Sequence, residues 1–128
     1  MIKFLTLSEI LLILEDQIRQ YGGVYGIRDR NLLSSALYMP ESCFAGKYLH
    51  ETIPAMAAAY AFHLCQNHPF IDGNKRVALA SPLVFLDING YEFNCKEKKL
   101  YDEIMALAKS EINKEELIKF YKNYAVKK

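Results

Sequence analysis

The sequence is short of cysteine and has none in a close pair. Cys43, Cys65 and Cys95 are odd in number and widely spaced. That argues against a disulfide framework or a CxxC zinc knuckle and reads as reduced thiols in a cytosolic protein. Long basic blocks are also missing. A formal net charge of +1 over 128 residues disfavours a protein whose main work is gripping nucleic-acid phosphates. Nor does any long apolar run survive. The N-terminal stretch MIKFLTLSEILLILEDQ is broken by Glu9, Glu15 and Asp16, so it is neither a signal peptide nor a membrane span. Repeats, low-complexity tracts and linkers are absent, which gives one domain over residues 1–128.

What is present is a balanced mixture, 52% apolar and 24% charged, enough to bury a core without metal or disulfide staples. The periodicity is mostly helical. Thr6 and Glu9 form a capping box ahead of an apolar face of Leu7, Ile10, Leu11, Leu14, Ile18 and Tyr21, stopped by Gly22 and Gly23. Asp29 caps a second helix carrying Leu32, Leu33, Ala36 and Leu37 and ended by Pro40. Residues 41–49 lack a helical period and read as an irregular loop or small hairpin. An alanine-rich helix follows from Glu51 and ends by about Asn67, before Pro69. The next begins near Asn74, is apolar nearly all round, and is expected to be the buried central helix, with Pro82 bending it. Asn94 with Glu97 and Asn113 with Glu116 read as capping boxes opening two amphipathic C-terminal helices. Their inner faces are Leu100, Ile104, Leu107 and Leu117, Phe120, Tyr124.

The chemistry concentrates in HPFIDGNKR, residues 68–76. Each residue alone has an ordinary explanation: Asp72 as an N-cap, His68 as a loop residue, Lys75 and Arg76 as solvated cations. Together they fit that account poorly. Free backbone N–H groups at 73–75 would open a buried helix, and Gly73 would let a ligand approach them. Lys75 and Arg76 sit in a first turn, where cations are disfavoured by the helix dipole. Their presence makes sense if an anion such as a phosphate occupies that end. Asp72 can hold a hard divalent cation bridging phosphate oxygens, and His68 can accept a proton from an attacking hydroxyl near neutral pH. Phe70 and Ile71 would pin the loop to the core. These are parts for phosphoryl or nucleotidyl transfer.

The stretch resembles the signature of the Fic/Doc (Fido) superfamily, H-x-F-x-D/E-G/A-N-G/K-R. The segments 21-YGGVYGIRDRNLLSSAL-37, 67-NHPFIDGNKRVALA-80 and 85-FLDINGYEF-93 are similar to its death-on-curing branch. The resemblance covers roughly residues 6–93. It implies an all-α fold: a compact Fido-type helical bundle with a buried central helix and a small β-hairpin flap. It implies His68 as the base, Asp72 as the Mg²⁺ ligand, Gly73, Asn74 and Lys75 as the anion-hole turn, and Arg76 as the phosphate-gripping arginine, acting on ATP. It also implies a flap at residues 42–49, with Phe44, Gly46 and Tyr48, that aligns a target protein by strand pairing.

Two departures bear on the chemistry. Adenylylating members carry a second glycine and a second arginine where this sequence has Lys75 and Leu79. The lysine fills space that a nucleotide phosphate would use, and one phosphate loses a bidentate partner. The death-on-curing branch shares both features. Its toxin is a kinase of elongation factor Tu, so the resemblance favours γ-phosphate transfer to a translation factor. Transfer of AMP and a catalytically weak binding module stay as alternatives. That toxin has alanine where this chain keeps Gly73. The inhibitory pattern [S/T]-x-x-x-E-[G/N] of the superfamily is absent, which points to a separate antitoxin.

Elsewhere, His63, Cys65 and His68 are close in sequence but share no helix face, so His63 reads as a hydrogen-bonded core residue rather than a metal ligand. His50 reads as a surface histidine, Lys127 and Lys128 as a frayed end, and the nine tyrosines as core and rim packing.

Overall fold

The computed structural model describes residues Met1–Lys128. Thr6 and Glu9 exchange hydrogen bonds of 3.1 and 2.8 Å and open α1, Leu7–Tyr21. Ile10 and Leu14 carry its buried face, while Leu7 and Tyr21 are exposed. The Asp29 carboxylate accepts from the Leu32 N–H at 3.0 Å and starts α2, Arg30–Tyr38. The chain continues past Pro40 in a short 3₁₀ turn, Met39–Glu41, instead of stopping there.

Residues 41–49 form a hairpin, β1 (Cys43–Phe44) against β2 (Lys47–Tyr48). Its two-residue loop, Ala45-Gly46, has φ of 53° and 79°, the pair of positive angles that a tight type I′ connection requires. The Thr52 hydroxyl accepts from Ala55 and opens α3, Ile53–Asn67. Next come α4 (Asn74–Ile88), β3 (Tyr91–Phe93), α5 (Glu97–Ala108), α6 (Lys114–Tyr124) and β4 (Ala125–Lys127). The fold is all-α with two small antiparallel two-stranded sheets, the β1–β2 hairpin and β3–β4, whose strands are joined through α5 and α6.

α3 and α4 pack along each other at the centre. The more enclosed of the two is α3, whose residues 54–61 are buried without a break. Alanine at five of those positions lets the neighbouring helices approach closely. α4 buries Val77, Ala78, Ser81, Pro82, Phe85 and Leu86 but leaves Val84 exposed. It runs unbroken through Pro82. Phe85 is fully buried, 5.0 Å from the Tyr60 ring and 6.0 Å from Phe4, and the Tyr60 hydroxyl accepts from the Leu5 N–H. Burying such a ring stabilises by about 1.5–3 kcal/mol.

Four expectations are corrected. α5 starts from Lys96 with no side-chain cap. The Asn94 N–H instead donates to the Tyr124 carbonyl at 2.9 Å, which prolongs the β3–β4 ladder and holds Asn94 extended. The C-terminus is not frayed: Ala125–Lys127 pairs with Tyr91–Phe93, and the Lys128 N–H donates to the Gly90 carbonyl. His50 is buried, with Nδ1 lacking a partner. On α6 the inner face is Leu117, Phe120 and Tyr121, with Tyr124 turned partly outward. The three cysteines are free, Cys43 exposed and Cys65 buried. No helix is long and apolar enough to cross a membrane.

Candidate functional site

The loop between α3 and α4 is held from two sides. From within, Phe70 is fully buried and Asn74 brackets its backbone: Oδ1 accepts from the Phe70 N–H at 2.9 Å and Nδ2 donates to its carbonyl at 3.0 Å. Both polar ends of Asn74 are thereby used, so what it can offer a ligand is its backbone N–H. Ile71, expected to pin the loop alongside Phe70, is exposed; its N–H donates to the Gly26 carbonyl instead.

From outside, the segment at residues 23–29 runs against the loop. Ile27 bridges to Phe70, and the N–H groups of Arg28 and Asp29 converge on the Pro69 carbonyl at 2.7 and 3.1 Å. The Arg28 guanidinium donates to the carbonyls of His68, at 2.6 Å, and Asn67, at 3.0 Å.

α3 stops at Asn67, and His68 takes the left-handed conformation, φ 45° and ψ 54°. Pro69 disfavours right-handed helical geometry at the residue before it. The His68 side chain is exposed. Gly73 precedes α4 with φ 86°, and a Cβ there would lie 3.1 Å from Leu14 Cδ1. A side chain would therefore meet both strain and crowding. α4 has no side-chain N-cap, and no protein acceptor meets the N–H groups of residues 73–76. They open onto a hollow of about 490 Å³ lined by His68, Asp72, Lys75, Arg76, Tyr101 and Met105 among others.

Asp72 is not the N-cap of α4. Its Oδ2 accepts from the Val24 N–H at 2.7 Å, and Oδ1 has no protein partner. Lys75 is exposed and unpaired. Arg76 behaves differently from Lys75. Its Nη1 donates to the Gln17 and Gly22 carbonyls at 3.1 and 3.0 Å, and its guanidinium lies 5.9 Å from the Tyr21 ring centroid. Those carbonyls belong to the C-terminal end of α1, which carries partial negative charge. Half of the apparent mismatch at the start of α4 is thus resolved inside the fold, by a second helix end. Lys75 is the cation that remains without a counter-charge.

No cluster of three or more metal-ligating side chains occurs. The Asp72 carboxylate, with one oxygen uncommitted, suits Mg²⁺, which commonly takes one or two carboxylates and completes its shell with phosphate oxygens and water. The remaining expected site residues lie on the hairpin. Phe44 is 76% exposed, Gly46 forms the turn, and the Tyr48 ring packs 5.8 Å from Phe4. Tyr48 thus moors the hairpin to the core while Phe44 stands free.

Several contributors escaped the sequence. Gln17 and Tyr21 come from α1, and Tyr101 and Met105 from one turn-spaced face of α5. With Leu79 they line a second hollow of about 460 Å³ that shares Lys75, Arg76, Tyr101 and Met105 with the first. Their spacing to the 68–76 stretch is purely tertiary, and nothing local marks them.

Residues 4–86 match the model of the Fic/DOC family. The chain is 38% identical over 72 residues to Toxin Doc of Mycolicibacterium smegmatis, covering 56% of this chain and 55% of that protein. It therefore spans about half the length of the curated relative it matches.

Proposed function

The chain belongs to the Fic/DOC family, and from that premise we propose that it is the toxin of a toxin–antitoxin pair that moves the γ-phosphate of ATP to a hydroxyl side chain of a target protein. The observation that carries the choice of phosphate is Lys75. It is an exposed cation without a counter-charge, in the first turn of α4 beside unpaired N–H groups, and Leu79 stands one turn on. A terminal phosphate suits that cradle, because a lysine supplies point charge without demanding a second arginine.

In this reading His68 takes the proton of the target hydroxyl as its oxygen forms a bond to the γ-phosphorus. The bond to the β–γ bridging oxygen breaks, and ADP leaves with that electron pair. The N–H groups of residues 73–75 and the Lys75 ammonium stabilise the charge on the transferred group. Arg76, fixed by α1 carbonyls, presents its remaining N–H groups from a rigid position. Asp72 would hold Mg²⁺, which when bound neutralises phosphate charge.

The hairpin would align the target segment by strand addition to its exposed edge, with Phe44 as an apolar anchor. A translation factor such as elongation factor Tu, and hence a cytoplasmic setting, follows from the family resemblance. The antitoxin would be a separate polypeptide, in keeping with the name of the relative and with the missing inhibitory motif.

Incubation of the protein with cell lysate and ATP labelled at the γ- or the α-phosphate tests the proposal. Label incorporated from the γ position only, and lost in His68→Ala, is the expected result. Incorporation from the α position would replace phosphate by AMP as the transferred group. Neither label, together with equal harmlessness of wild type and His68→Ala in cells, would overturn the enzyme reading in favour of a binding module.

A further inference from the structure

We propose that Arg28 is the positioning residue for His68, setting the geometry from which the base takes its proton. The inference rests on the role of His68 given above. The imidazole has no hydrogen-bonding neighbour of its own; the residue's one side-chain anchor is Arg28. Bases of this kind are usually oriented by a bond to the second ring nitrogen. Here orientation is imposed through the main chain. Arg28 Nε donates to the carbonyl of His68 itself and Nη2 to that of Asn67, so the two peptide units flanking the His68 Cα are gripped by one planar fork. That grip acts on a left-handed, non-glycine conformation, a sparsely populated state that persists only where the surroundings impose it. The two carbonyls also end α3, where the helix dipole favours a cation.

The neighbouring contacts separate this role from general stabilisation. The loop is fastened to the core by Phe70 and Asn74 and to the 23–29 segment through the Pro69 carbonyl and Gly26. None of these needs the Arg28 side chain, which is exposed. Removing the guanidinium should leave the loop attached and free only the turn at His68. Lysine retains the charge yet cannot span both carbonyls with a rigid fork.

The test compares wild type, Arg28→Ala, Arg28→Lys and His68→Ala in single-turnover transfer of labelled phosphate. It is combined with equilibrium binding of a non-hydrolysable ATP analogue, thermal melting, and ¹⁵N relaxation of the His68 amide. Arg28→Ala is expected to slow transfer by about tenfold to a hundredfold, the scale of a misplaced reacting group. Analogue affinity and cooperative melting should be retained, the His68 amide should become mobile while Phe70 and Asn74 stay rigid, and Arg28→Lys should recover part of the rate. Wild-type transfer with an ordered His68 in Arg28→Ala would overturn the proposal. So would loss of analogue binding and melting cooperativity in both Arg28 variants, which would make the residue structural. If His68→Ala transfers as well as wild type, the base assignment falls instead; the His68 amide then decides on Arg28 by itself, order in Arg28→Ala overturning the grip and mobility sustaining it.

Discussion

Asn74 shows how one residue of the motif divides its labour. The motif resemblance assigns it to the anion hole, yet its side chain closes a ring with the Phe70 backbone, with bonds of 2.9 and 3.0 Å. Only its N–H is left for a ligand. Replacing it with alanine would strand a donor and an acceptor beside a buried ring, a loss of about 2 kcal/mol at typical values for unsatisfied buried groups. We expect Asn74→Ala to lower the urea midpoint of unfolding accordingly and to reduce transfer even where the protein is fully folded. A variant with an unchanged midpoint would show that the ring of bonds is not formed in solution. Arg76 teaches a related lesson. In the sequence it is a cation at the wrong end of a helix; in the fold it caps the carbonyls at the end of α1. Helix-dipole reasoning on one helix identified the anomaly correctly and could not see the second helix that absorbs half of it.

At the scale of elements, what was legible was what is local. The capping boxes at Thr6–Glu9 and Asn113–Glu116 need only three residues of chain and form as read. The Asn94–Glu97 pattern is equally good text, but pairing with Tyr124 overrides it. His50 escaped because its surroundings are tertiary, with Lys114 at the start of α6 more than sixty residues away. It belongs to a group drawn from three elements. His63 on α3 accepts at 2.9 Å from Lys114 at the start of α6, and burial followed by the Lys114 charge lowers the pKa of both histidines, His63 to about 4. Lys114 acts on both histidines, the His50 charge further lowers His63, and the Met39 carbonyl beside His50 opposes the depression there. A histidine depressed on folding adds stability above its unfolded value of 6.5 and loses it as pH falls toward the folded value near 4. The His63 contribution is about 1–2 kcal/mol once its partial exposure is discounted. Urea midpoints measured from pH 7 down to pH 4 should therefore fall most steeply across that interval. Lys114→Met should flatten the slope, since it removes the second cause of the depression; an equally steep slope would show that the Lys114 charge plays no part in it.

For the whole molecule, α4 separates two functions along its length. Its first turn builds the candidate site, and its last turn meets the β3–β4 sheet, where Asn89 ties Lys3 and Lys128 reaches Gly90 and Asp87. Its 15 residues make it about 22 Å long. That distance explains why the site was largely readable and the far end was not. His68, Asp72 and Lys75 lie in one short segment and need only a loop and a helix start to converge. The closing strand instead joins residues 91–93 to residues 125–127, a pairing that no local pattern announces. The same separation makes an experiment possible. Deleting residues 125–128 removes the partner of β3 and uncovers part of the Phe93, Phe120 and Tyr121 cluster, whose rings lie 5.2–5.9 Å apart. We expect a loss of about 2 kcal/mol, within the range of substantial local lesions, and a melting point lower by about 4–8 °C. Turnover per folded molecule at low temperature should stay at the wild-type level, because nothing deleted touches the first turn of α4 or the segment at residues 23–29. A drop in turnover at a temperature where both proteins are folded would mean that the two ends of α4 are coupled, and that the C-terminal strand helps to set the site.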